Sequence, residues 1–302
     1  MEQPTSNILF TGIMPALVSC VDEDGRVLED VTRRLIEWHL REGMDGFYLC
    51  GGTGEGPVLQ PEARMKIAEI AKDTVGSRGK LIAHVGAIDL KTAVRLARHA
   101  SDIGLDAISS VPPFFYHYGE AEIRDYYTAL SDASGLPVLM YASPLSGVNI
   151  TWDMVDRLMD VPNMIGLKWT SYDYFTMHRI RELRGGNINV INGPDECLLC
   201  GLTMGADGGI GATYNVMPRL FREIYDRYHA GDLAGAQKAQ FQANKLIEVL
   251  LKFGVVAGIK DMLGGLGYDC GYQVYPKKRL SEEERAAFHQ TLKDLRYEET
   301  YL

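Results

Sequence analysis

Short apolar or β-branched runs alternate along the chain with longer stretches in which apolar residues recur at i, i+3 and i+4, the pattern of strands and amphipathic helices in turn. Eight runs are predicted as strands: Gly12–Val18, Gly46–Cys50, Leu81–Gly86, Ala107–Val111, Pro137–Tyr141, Met164–Trp169, Asn189–Asn192 and Gly208–Ala212. The helical stretches between and after them are Val31–Glu42, Pro61–Val75, Lys91–Ile103, Glu120–Ser131, Trp152–Met159, Phe175–Leu183, Cys197–Met204 and Met217–His229, several opening on a capping residue or a proline. Strand-to-strand spacings of roughly 20–35 residues suit right-handed βαβ units, and eight such units close into a barrel with no exposed edge. The expectation is a (β/α)8 TIM barrel over residues 1–230, with a C-terminal helical extension over 231–302 packed on it. A doubly wound sheet is the competing architecture, but the G-x-G-x-x-G fingerprint with an acid some 20 residues on is missing.

Composition narrows the class. The chain has 302 residues, 46% hydrophobic and 24% charged, with a net charge of −9. Its basic residues form no stripe that could follow a phosphate backbone, so nucleic acid is not expected as a partner. The one basic run, Lys277-Lys278-Arg279, is followed closely by Glu282, Glu283 and Glu284 and reads as a solvated approach to a helix. No apolar stretch approaches the ~18 residues of a membrane span, and the N-terminus lacks the basic and apolar regions of a signal peptide, so a cytoplasmic protein is expected. Five cysteines suit free thiols in a reducing compartment, with Cys20 and Cys50 in buried runs. Cys197 and Cys200 form a C-x-x-C without a second pair, which points to a core helix rather than to zinc or redox work.

Barrel enzymes place their chemistry at the C-terminal ends of the strands, so those positions carry the functional reading. In strand six, Lys168 stands near the end of an otherwise apolar run. Desolvation disfavours a charged amine, and a neutral amine can attack a carbonyl; snorkelling or pairing with a carboxylate is the alternative. Lys80, at a strand start, and Lys260, on a late helix, lie elsewhere. Tyr141 ends strand five and could relay a proton or simply cap the core. After strand two, Gly51-Gly52-Thr53-Gly54-Glu55-Gly56 offers backbone N–H groups and a hydroxyl to a carboxylate, or forms a tight turn with no ligand. It lacks the G-K-[ST] of a P-loop. Asp195 and Glu196, after strand seven, could cap a helix or accept hydrogen bonds from substrate hydroxyls. Gly208–Thr213 supplies small residues around a ligand. The seven histidines lack metal-ligand spacing, and His84 reads as buried and satisfied, so no metal is expected. No G-x-S-x-G elbow points to a serine hydrolase.

Gly51–Glu55, Tyr141–Gly147, Gly166-Leu167-Lys168 and Gly208–Asn215 together resemble the dihydrodipicolinate synthase/N-acetylneuraminate lyase family of class I aldolases, over nearly the whole chain and in family order. The resemblance implies a homotetrameric (β/α)8 enzyme in which Lys168 forms an imine with a 2-oxo acid such as pyruvate, with no other cofactor. It implies that Tyr141 and Thr53 take part in catalysis and that Gly52 and Thr53 hold the carboxylate. Thr170, Gly193, Asp195, Glu196, Gly211 and Ala212 would line the substrate site.

Within that resemblance, Leu145 stands where synthases carry an arginine for a dicarboxylate substrate, and Asp195-Glu196 match the pair that lyases use for the polyol tail of sialic acid. Cleavage of N-acetylneuraminate to N-acetylmannosamine and pyruvate is therefore the leading expectation. Three positions depart from the family pattern: Gly52 replaces a Ser or Thr, Ala212 replaces a serine, and Phe115 stands where a neighbouring subunit contributes a tyrosine, with Tyr116 beside it. The alternatives are another 2-keto-3-deoxy sugar acid as substrate, 4-hydroxy-tetrahydrodipicolinate synthesis, and a non-catalytic barrel that binds an acidic sugar.

Overall fold

The computed structural model describes residues 6–274, 276–277 and 279–301, together with the backbone but not the side chain of Leu145. Lys278 of the basic run, the first five residues and the Leu145 side chain thus lie outside the described residues. All eight strands form: β1 (Gly12–Pro15), β2 (Gly46–Leu49), β3 (Lys80–His84), β4 (Ala107–Ser110), β5 (Val138–Ala142), β6 (Met164–Trp169), β7 (Asn189–Asn192) and β8 (Gly208–Gly211). They pair in parallel in the order β1-β8-β7-β6-β5-β4-β3-β2. A parallel bridge between Ala16 and Tyr48, with the Leu17 N–H donating to the Tyr48 carbonyl at 3.0 Å, brings β1 beside β2 and completes the circle. The outer ring is α1 (Glu29–Arg41), α2 (Pro61–Val75), α3 (Leu90–Asp102), α4 (Glu120–Ser134), α5 (Trp152–Leu158), α6 (Tyr174–Glu182), α7 (Leu198–Thr203) and α8 (Pro218–His229). The extension adds α9 (Leu233–Phe253), α10 (Val255–Gly265), α11 (Glu282–Asp294) and the short α12 (Tyr297–Tyr301), which the apolar pattern did not predict. Helix α9 packs on α7, α8, α10 and α11.

Two separate apolar clusters follow from strand alternation. Residues facing outward from the strands join those facing inward from the helices; residues facing the barrel axis, among them Met14, Ile82, Leu139, Ile165, Ile191 and Ile210, form a second cluster. Phe10 closes the N-terminal end of this interior. The Asn189 side chain holds it there, accepting the Phe10 N–H at 2.8 Å and donating to its carbonyl at 2.9 Å.

Strand β6 breaks the alternation. Ile165 belongs to the interior cluster and Leu167 to the outer one, yet Lys168 faces the interior, three residues after Ile165 rather than two or four. The register with β5 shifts at this point, Val138 pairing with Met164 but Leu139 with Gly166, which is a β-bulge. Gly166 makes the bulge possible, because a Cβ there would overlap the Asn189 backbone. Without that inserted residue the lysine would point toward the helices.

The cysteines are all free, with Cys20, Cys50 and Cys270 buried. Cys197 is half-buried and Cys200 exposed. The expected core helix over Cys197–Met204 is thus a helix, α7, but Leu198, Gly201 and Leu202 are its buried residues, and both thiols lie away from them. Among the described residues, no helix is long and apolar enough to cross a membrane.

Candidate active site

The inward turn of Lys168 places a 5% exposed amine at the C-terminal mouth of the barrel, among aromatic rings. Its Nζ sits 4.2 Å from the centroid of the Tyr141 ring and 5.7 Å from that of Tyr48, and donates to Thr170 Oγ1 at 3.1 Å. Strands β5 and β6 pair Tyr141 with Lys168 directly, so adjacency in the sheet fixes this juxtaposition. The nearby ammonium holds the Tyr141 hydroxyl below the usual phenol range, helped by hydrogen bonding with Thr170, Lys168 and Ser143. Tyr48 and His84 complete the box, each ring 6.0 Å from Tyr141. Tyr48 donates to Ser109 Oγ at 2.9 Å, and burial pushes its phenol well above the ordinary value. Burial lowers His84 to about 3, so this imidazole is neutral. Its Nε2 accepts the Val111 N–H at 3.3 Å while its Nδ1 makes no well-formed bond, so the expected satisfied histidine is satisfied on one side only.

The glycine loop after β2 faces the same box. A Cβ on Gly52 would lie 3.8 Å from the Tyr141 hydroxyl, ordinary contact distance, so this position has room for a side chain. The loop is closed internally by Glu55 N–H to the Gly52 carbonyl at 3.1 Å and Gly56 N–H to the Gly51 carbonyl at 3.0 Å. No described residue accepts the N–H of Gly52 or Thr53, or the Thr53 hydroxyl, which leaves these donors for an anion. Beneath the loop, Arg64 of α2 is buried without a carboxylate partner, its guanidinium donating to the carbonyls of His84 and Gly86 at 2.6 and 2.9 Å.

Across the mouth, Asp195 caps no helix. Its buried carboxylate crosses to the end of β8, where Oδ2 accepts both the N–H and the hydroxyl of Thr213, at 2.6 and 2.7 Å. Desolvation raises Asp195 to about 6, although the Thr213 bonds oppose the shift. Gly211 and Gly193 are spacers. A Cβ on Gly211 would overlap Asp195, and one on Gly193 would overlap the Thr170 hydroxyl, so both glycines leave space for polar groups. Ala212 is half-buried beside them. Glu196 accepts a hydrogen bond from Tyr172, an exposed residue two positions beyond Thr170. Helix α9 supports this wall from behind: Gln240 and Asn244 donate to the carbonyls of Asp195 and Glu196, each at 3.1 Å.

All ten sequence-selected residues therefore lie on β-strand ends or the loops after them. Tyr48, Arg64 and Tyr172 were missed, and Thr213 was named only as part of a run of small residues, not as the partner of Asp195. Tyr48 could have been found from strand alternation in β2, whereas Arg64 reaches from α2 to the end of β3, and Tyr172 and Thr213 meet the segment after β7 through contacts that the order of residues does not show. Phe115 and Tyr116, in the loop before α4, are 78% and 67% exposed and stack edge to face on each other.

A family model for the dihydrodipicolinate synthetase family matches residues 9–295. The chain belongs to this family. It is 37% identical to an N-acetylneuraminate lyase of Rhizobium meliloti (strain 1021) over 281 residues, covering 93% of this chain and 94% of that one. Among solved structures, CdNal from Clostridium difficile, in complex with mannosamine, superposes with a TM-score of 0.91 at 33% identity, covering 95% of this chain and 99% of the other. A catalytic lysine mutant of the Ruminococcus gnavus sialic acid aldolase gives a TM-score of 0.91 at 28% identity, with 97% and 98% covered.

Proposed function

We propose that the protein is a class I aldolase that cleaves N-acetylneuraminate to N-acetylmannosamine and pyruvate through an imine on Lys168. The observation that carries this reading is the inward-facing Lys168 amine lying against the Tyr141 ring, at the barrel mouth of a chain so similar to sialic acid lyases. The substrate carboxylate takes the free N–H groups of Gly52 and Thr53. The Lys168 ammonium gives up a proton, the free amine attacks the C2 ketone of the open-chain sugar, and that proton leaves with the carbinol oxygen as water, so that the imine formed carries the positive charge. Tyr141, as phenolate, takes the proton from the C4 hydroxyl; the C3–C4 bond then breaks, its electron pair passing into the imine to give an enamine and the free aldehyde. Protonation of the enamine at C3 and hydrolysis release pyruvate and regenerate the amine. The tail hydroxyls face Asp195, Glu196 and Thr170, with Gly193, Gly211 and Ala212 leaving room for them. The expected homotetramer, the cytoplasmic location and the division at residue 230 belong to the same reading.

Incubation with pyruvate and borohydride is expected to add one reduced pyruvate unit to the Lys168 peptide, and Lys168→Ala to lose both the adduct and turnover. An adduct that survives in Lys168→Ala, or none in the natural protein, overturns the imine. Gly52 and Ala212 favour a second reading, another 2-keto-3-deoxy sugar acid, because each removes a hydroxyl from the mouth. Pyruvate release from 2-keto-3-deoxygluconate exceeding that from N-acetylneuraminate would decide for it.

A further inference from the structure

The glycine loop is held in a conformation that its own residues disfavour. Cys50 and Glu55, at its two ends, both have φ of 54°, in the left-handed region where a side chain is strained. Such strain persists only where surrounding contacts over-determine it. The contacts on Glu55 come from the C-terminal extension. Its Oε2 lies 3.0 Å from Lys260 Nζ of α10, with both side chains about 5% exposed or less. Its Oε1 accepts the Val274 N–H at 3.0 Å, and Lys260 donates onward to the Tyr272 carbonyl. Ser19 holds the adjoining Gly54 carbonyl at 2.6 Å.

A buried ion pair is weak as a source of net stability, since desolvation offsets most of the attraction, but separating its partners leaves a buried charge uncompensated, which keeps Glu55 and Lys260 together. Resting on the function proposed above, we infer that Lys260 is a positioning residue: through Glu55 it lets the extension set the loop so that the Gly52 and Thr53 N–H groups converge on the carboxylate of the 2-oxo acid. Lys260 touches no substrate, and it acts on capture of the acid rather than on bond cleavage.

Pyruvate alone tests this, because it carries the carboxylate and ketone but no tail. Half-saturation of borohydride trapping at Lys168 is expected to rise about tenfold in Lys260→Met and in Glu55→Gln, with kcat at saturating substrate within roughly threefold of the natural protein. The neutral pair Glu55→Gln/Lys260→Met should be no worse than either single change, and Lys260→Arg should recover most of the affinity. Circular dichroism melting identifies the folded variants, and the neutral pair provides the measurement if a single variant fails to fold. Half-saturation within twofold of the natural protein in the folded variants overturns the inference, as does loss of kcat in proportion to KM with no rescue by arginine. If the natural protein traps no pyruvate, the proposed function falls, and Lys260 is judged by amide hydrogen exchange across residues 50–56. Faster exchange in Lys260→Met then supports the positioning role, and unchanged exchange rejects it.

Discussion

The two walls of the barrel mouth treat their acids in opposite ways. On the β5–β6 wall, Tyr141 lies against the Lys168 ammonium, and the cation draws its phenol down from the ordinary value. On the β7–β8 wall, Asp195 is buried, and desolvation outweighs its Thr213 bonds and the pull of Lys168, carrying its carboxyl up to about 6. One shift favours the anion and comes from charge; the other favours the neutral acid and comes from burial. In the proposed mechanism the phenol drawn down by charge serves the bond to be broken, and the carboxyl raised by burial serves the tail.

Removing the first group should cost most. Tyr141→Phe is expected to lower kcat by about 10²–10⁴-fold while pyruvate still traps on Lys168, because only proton transfer is lost. Equal loss of trapping and turnover would mean that Tyr141 shapes the lysine instead.

Asp195 should matter less, and with the opposite pH signature. Its folded pKa is raised, so its stability contribution is full below the unfolded value of 3.8 and is lost as pH rises through about 6. Ionisation of the buried carboxyl therefore costs ~3 kcal/mol at most near pH 8. Asp195→Asn keeps an acceptor for Thr213 and should melt higher than the natural protein at pH 8 but not at pH 4. The same change should raise KM for the sugar acid about tenfold, equivalent to ~1.4 kcal/mol, and abolish a fall in KM as pH rises through 6. A KM that stays flat across pH 5–7 in the natural protein would remove Asp195 from the tail site.

The smallest effect is expected at Gly52. The position has ordinary contact room beside the Tyr141 hydroxyl, so Gly52→Ser should fold normally and change kcat/KM by about threefold or less, upward if the added hydroxyl bonds Tyr141. A drop beyond tenfold would show that the N–H cradle needs the glycine itself.

Much of this site was legible in advance, for identifiable reasons. Lys168 could be picked out because a charge in an apolar strand breaks a strong local pattern, and Tyr141 because it ends the preceding strand. The glycine run could be located, but Glu55 within it and Lys260 on α10 carried no mark of their pairing, since 205 residues separate them and each alone reads as a surface charge. Asp195 was legible as a polar residue at a strand end. Its orientation was not: helix capping and reaching across to Thr213 look the same in one dimension.

The barrel follows from the order of residues alone, since eight apolar runs separated by amphipathic helices have few other ways to bury both strand faces. That order also determines the chemistry available, an amine, a phenol and a carboxylate at strand ends. Which way those groups point depends on how the strands pair in three dimensions. The bulge at Gly166 turns Lys168 inward against the simple alternation of the strand, because the carbonyl path of β7 leaves space for glycine alone. Burial, which no linear pattern reports for a single residue, then set the carboxyl of Asp195 and the strained loop that Lys260 holds in place.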